Sequence, residues 1–162
     1  MSANKHQPHI WVLPEDDANR QLANGFLLDQ SLATRRIDVL EEAGGWMQVV
    51  ECFLSDQIAG MISYPHRFMV LLIDFDGQEN RLEEVRARIP GDLRERVFVL
   101  GCLTTPEALR AKLGSYETIG LALARDCHEG ANRTWNDDLL RHNTGELQRL
   151  DARVRPFLFR EN

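Results

Sequence analysis

At 162 residues, with 43% hydrophobic and 27% charged side chains, the chain has the size and balance of one globular domain rather than a disordered or fibrous segment. Its net charge of −6 argues against a general nucleic-acid-coating surface. Its longest apolar run, residues 68–73, falls well short of the roughly 20 residues a membrane helix needs. Residues 1–9 are polar and lack a signal core, and Cys52, Cys102 and Cys127 are widely spaced, as suits reduced thiols. A cytoplasmic protein that does not enter membranes is therefore expected.

The chain opens on a short apolar β-type run, residues 9–13, which ends at Pro14 and an acidic cluster. Asp16 or Asp17 can cap a helix of about residues 18–29, where Ala18, Leu22 and Phe26 fall at helical spacing. Residues 36–40 alternate as a strand does. Gly44 and Gly45 then open a helix whose Trp46, Val49, Val50, Phe53 and Leu54 form one apolar stripe.

The run of residues 68–73, FMVLLI, is apolar throughout, as expected for a central parallel strand covered on both faces. It leads directly into Asp74-Phe75-Asp76-Gly77. A helix of about residues 79–89 and a strand at residues 97–101 follow, and Pro106 suits the first turn of the next helix. Beyond it the pattern predicts helices at about 116–127, 135–142 and 145–154, then a closing strand or tail at residues 157–159. Strands alternating with helices predict an α/β fold, with a parallel central sheet flanked by helices, Rossmann-like, and extra C-terminal helices. The absence of a repeat or linker predicts one domain over residues 1–162.

Ligand sites in parallel α/β sheets form at the carboxyl ends of strands. Glu15 follows the first strand, and Asp74 and Asp76 follow the most buried one, so the three acids can converge on one edge. If DFD stays extended, both Asp side chains lie on the same side. Such an oxygen-only set suits a hard cation that keeps some of its water, Mg²⁺ or Mn²⁺. The same acidic turns serve equally well as helix caps and solvated loops.

The order strand-Glu15, helix, strand, Gly44-Gly45, helix, strand-Asp74-Phe75-Asp76-Gly77 resembles the Toprim domain over roughly residues 9–101, with a helical extension over about 115–162. The similarity is to its nuclease-type members, the overcoming-lysogenization-defect group. It implies Mg²⁺-dependent phosphodiester chemistry on nucleic acid, with Glu15 as the catalytic acid or base and Asp74 and Asp76 as metal ligands. It also implies a fourth acid at the next strand–helix junction, which Glu107 matches, and a separately encoded ATPase partner. One departure is that Asp16 and Asp17 follow Glu15 where the family commonly has Gly; the extra charge adds a metal ligand or repels phosphate.

Two alternatives belong to other classes. One is a Toprim-like regulatory or partner-binding subunit without catalysis. The other is a receiver-like signalling domain, in which the acids after the first strand form its acidic pair and Asp74 is the phosphoacceptor. Against the latter, residues 119–127 end in Arg125 and Asp126, without the lysine such a domain carries.

Overall fold

In a computed structural model, which describes residues 2–160, four parallel strands lie in the order β2-β1-β3-β4. They are β1 (His9–Pro14), β2 (Ile37–Val39), β3 (Arg67–Leu72) and β4 (Val97–Leu100). The chain steps outward from β1 to β2, then returns past β1 to β3 and on to β4. The direction of winding thus reverses between β1 and β3, which pair over six residues, from His9↔Arg67 to Pro14↔Leu72. An α/β protein with a parallel sheet flanked by helices is what the alternating strands and helices predicted.

The period of two along each strand divides the core. Ile10, Val12, Phe68, Val70, Phe98 and Leu100 face one way, into a layer formed by α1 (Asp17–Phe26), α5 (Pro106–Leu113), α6 (Tyr116–Glu129), α7 (Thr144–Arg153) and α8 (Arg155–Leu158). Leu13, Met69, Leu71, Val97 and Val99 face the other, against α2 (Trp46–Cys52), α3 (Ile58–Ser63) and α4 (Arg81–Arg88). Because β1, β3 and β4 are covered on both faces, they read as continuous apolar runs. The stripe holds from Trp46 through Val49, Val50 and Phe53, but Leu54 is exposed, and one π turn at Phe53–Gln57 separates α2 from α3. Among the described residues, no helix is long and apolar enough to cross a membrane.

One expectation fails near the C-terminus. Residues 132–143 form turns and a short 3₁₀ segment, Arg141–Asn143, in place of a helix over 135–142. Polar side chains there compete for the backbone: Asp126 accepts from the Thr134 and Trp135 N–H groups, and Asp137 from Leu139 N–H. The final apolar piece enters α8, and its Phe159 then makes one antiparallel bridge to Leu32.

The outer edge of β4 has no strand beside it among the described residues. Side chains at i, i+3 and i+6 cover it instead. Asn143 takes the Gly101 N–H and donates to the Gly101 carbonyl, Glu146 accepts the Val99 N–H at 2.9 Å, and Arg149 donates to the Arg94 and Val97 carbonyls. Asn143 and Glu146 are almost fully buried, as groups with this task must be.

At the amino edge of the sheet lies a buried cation. The Arg67 guanidinium stacks on Trp11 at 3.5 Å and lies 4.7 Å from the Tyr64 ring centroid. Its Nε donates to His9 Nε2 at 3.0 Å, while His9 Nδ1 faces the Gln7 carbonyl. His9 must therefore be neutral with its proton on Nδ1, and burial holds its pKa below the ordinary value.

Helices α1 and α6 meet at backbone distance through Gly25 and Gly120. A Cβ at Gly120 would lie 2.1 Å from the Leu22 carbonyl oxygen, and one at Gly25 2.5 Å from that of Glu117. Gly120→Ala should accordingly lose about 2–3 kcal/mol, or roughly 5–10 °C in Tm, although alanine gains ~1 kcal/mol in helix propensity. Thermal unfolding of the variant checks this; an unchanged or higher Tm would mean that the helices do not approach so closely.

Candidate metal site at the carboxyl edge

The site begins where β1 leaves the sheet. Glu15 N–H still donates to the Leu72 carbonyl at 2.9 Å, continuing the β1–β3 ladder by one rung. The next rung is made by a side chain: Glu15 Oε2 accepts the Asp74 backbone N–H at 2.8 Å. The Glu15 carbonyl accepts from Gly44 N–H at 2.8 Å, so the glycine pair before α2 lies against the same corner.

Asp16 is the N-cap of α1, its Oδ1 accepting the Asn19 N–H at 2.9 Å. The Asn19 side chain turns inward, fully buried, and its Nδ2 donates both to Asp16 Oδ1 at 3.0 Å and to Asp74 Oδ1 at 2.9 Å. One amide therefore holds a carboxylate from each strand end. Glu15, Asp16 and Asp74 each offer an oxygen, and these oxygens lie within 4.8 Å of one another.

Asp76 is placed differently. The segment does not stay extended: Asp76 adopts φ +50° and Gly77 φ +73°, a left-handed turn that an aspartate tolerates and a glycine favours. Pairing with the segment beyond β4 forces the turn, since Phe75 N–H donates to the Cys102 carbonyl and Gly77 N–H to that of Leu103. The Asp76 carboxylate is half-exposed and bound at 2.6 Å by Arg81 Nη1, which also donates to the Asp74 carbonyl. Arg81 in turn stacks on Trp46 at 4.3 Å. Glu107 is exposed in the first turn of α5 and is not part of the oxygen cluster.

Of the residues singled out from the sequence, Glu15 and Asp74 come together, whereas Asp76 and Glu107 lie outside the cluster. Asp16, legible as a cap and as an extra charge, supplies the third oxygen. Asn19 and Arg81 were not anticipated. The signal for Asn19 was its place three residues after the cap, on the inward face of the first turn. For Arg81 it was a lone cation at the start of the helix that follows an acidic turn.

Crowding acids at a buried edge opposes their ionisation. Burial, with the Glu15 carboxylate beside it, pushes the Asp74 pKa up from 3.8 to about 8, against the hydrogen bond from Asn19. Burial raises Glu15 as well, against the Asp74 N–H bond that favours its ionised form. The donor set, three carboxylates without nitrogen or sulfur, fits a hard divalent cation, whose charge would offset this repulsion.

With divalent ions chelated, the folded state holds a proton on Asp74 that the unfolded chain releases near pH 3.8. Stability should therefore decline as pH rises from about 4 to 8. Asp74→Asn keeps the acceptor for Asn19 but removes the charge, so its Tm should fall less over this range and match or exceed that of the parent at pH 8. A parallel pH profile for the two proteins would sink this account.

Comparison with known protein families, with curated proteins and with solved structures found no match, so the geometry of this corner is what carries a functional reading.

Proposed function

We propose that the chain is a divalent-metal-dependent enzyme of phosphodiester chemistry, acting on nucleic acid as a nuclease. The observation that carries the reading is the convergence of Glu15, Asp16 and Asp74 at the point where the sheet reverses its winding. Asp74 and Asp16 would hold Mg²⁺ or Mn²⁺, with Glu15 at its margin; the bound ion supplies Lewis-acid stabilisation of charge on a phosphate oxygen.

Glu15, whose pKa burial raises above the ordinary carboxylate value, would exchange a proton with an attacking water. Asn19 fixes the Asp16 and Asp74 carboxylates in place, so little reorganisation is needed during reaction. Arg81 neutralises Asp76 at the solvent side, lessening the repulsion that an incoming phosphate meets. A separately encoded ATPase remains part of the proposal, because the net charge of −6 is poorly suited to drawing a polyanion to the site unaided.

One observation favours a second reading, a receiver-like phosphoacceptor. Two acids at the end of β1 facing a single Asp at the end of β3, with Asp76 turned aside, is the layout that role requires. The lysines oppose it: Lys5 lies over Tyr64 and Lys112 pairs with Asp137.

The deciding assay incubates the protein, with and without candidate ATPases, on single- and double-stranded DNA and RNA in Mg²⁺ or Mn²⁺. Cleavage is expected, lost with EDTA and reduced by about 100-fold or more in Glu15→Gln and in Asp74→Asn. Glu107→Gln tests the fourth acid that the Toprim resemblance implies. Metal-dependent stabilisation without cleavage would leave a regulatory, partner-binding domain, and a beryllofluoride adduct on Asp74 would establish the phosphoacceptor.

A further inference from the structure

Behind the β1–β3–β4 floor, roofed by α1, α6 and α7, lies a cavity of about 90 Å³. Every side chain that faces it is aliphatic, aromatic or a cysteine, and Gly101 adds no polar side chain. The Trp135 indole N–H, the strongest donor in the lining, is already given to the Leu123 carbonyl at 3.2 Å. Water needs two to four polar partners to settle in such a space and finds few here, whereas dry apolar cavities take up small apolar molecules.

A second pocket, of about 170 Å³, adjoins the first: Cys127, Trp135, Leu147 and Leu150 line both. Its lining is mixed, apolar side chains beside polar ones, and its charges are committed. Asp126 is occupied by the Thr134 and Trp135 N–H groups, and Asp151 pairs with Arg155 at 3.3 Å. Uncharged Asn132 and Gln148 remain to meet a ligand.

We propose that the two compartments form one binding site for a small uncharged amphiphile, an aromatic or short aliphatic body carrying a hydroxyl or amide end. The body fills the dry compartment, where it replaces contacts that the lining lacks. The polar end points past the rim that Cys127, Trp135, Leu147 and Leu150 share, toward the amide side chains. A carboxylate is disfavoured, because Asp126 and Asp151 both face the outer compartment and Arg155 is already paired. The site does not depend on any chemistry at the acidic cluster.

Benzyl alcohol is a suitable probe, with benzene and benzoate as controls, all tested on the whole chain in EDTA. Saturable binding of benzyl alcohol is expected, with a rise in Tm and with methyl NMR shifts centred on Ala23, Leu147 and Leu150. Benzene should bind more weakly, and benzoate at least about 10-fold more weakly, a difference of ~1.4 kcal/mol. Ala23→Leu and, separately, Cys127→Met fill the lining; whichever variant folds should lose the response by a similar factor. Absence of saturable binding to the parent, undiminished binding by a folded filled variant, or benzoate binding as tightly as the alcohol would overturn the proposal.

Discussion

The hydrogen bond from the Asp74 backbone N–H to the Glu15 carboxylate ties the chemistry of this protein to its fold. Ordinarily a parallel ladder ends when one strand departs, leaving an N–H group to find another partner. Here the departing strand leaves a carboxylate behind to accept it. The Glu15 side chain is thereby part of the sheet, and its position is as firm as the register of β1 on β3. Asp74, at the donor end of that bond, is placed by the same contact. Two acids that repel one another are held together by backbone geometry, and the Asn19 amide adds Asp16 to them. Burial of the acids together raises the Asp74 pKa and gives a donor set that fits a hard cation, at the point where the sheet reverses its winding.

Beyond Asp74, the chain sorts its charges by direction. The left-handed turn at Asp76 and Gly77 sends one carboxylate out to Arg81 while its neighbour two residues earlier stays in. Gly101 makes the turn feasible: any Cβ there would collide with the Ile73 carbonyl oxygen, at 1.6 Å. With no side chain between them, the segments after β3 and β4 remain zipped past the ends of the formal strands. The acidic corner is thus built on main chain on both sides, on β1 through Glu15 and on β4 through Gly101 and Cys102.

Much of this was legible in the residues. The apolar run 68–73 marked a strand covered on both faces, and β3 is that strand, at the middle of the sheet. The acids following the first and third strands marked the edge where Glu15 and Asp74 meet. What could not be read was whatever depends on a distant partner. The turn at Asp76 is imposed by pairing with residues 102–104, and local sequence is silent on that. The Asn19 bridge spans 55 residues in sequence. The pattern over residues 135–142 suggested a helix, but the Asp126 carboxylate, contributed by α6, captures the N–H groups with which that helix would begin.

The side chains laid along β4 have a consequence for how this molecule meets others of its kind. An open strand edge is a template on which a second chain can add a strand, the route to domain swapping and fibrillar stacking. Asn143, Glu146 and Arg149 occupy that template with groups that bond to the strand but cannot themselves extend a sheet. At the opposite margin β2 has only three residues, and the amino-terminal segment crosses beside it, with Ala3 N–H on the Asp38 carboxylate and Asn4 N–H on the Arg35 carbonyl. The β4 margin is thus closed by groups that terminate hydrogen bonding rather than pass it on, while the β2 margin is kept to three residues. Sheet extension is therefore blocked on the β4 side, and a partner that meets this margin meets side chains of α7 rather than an open strand.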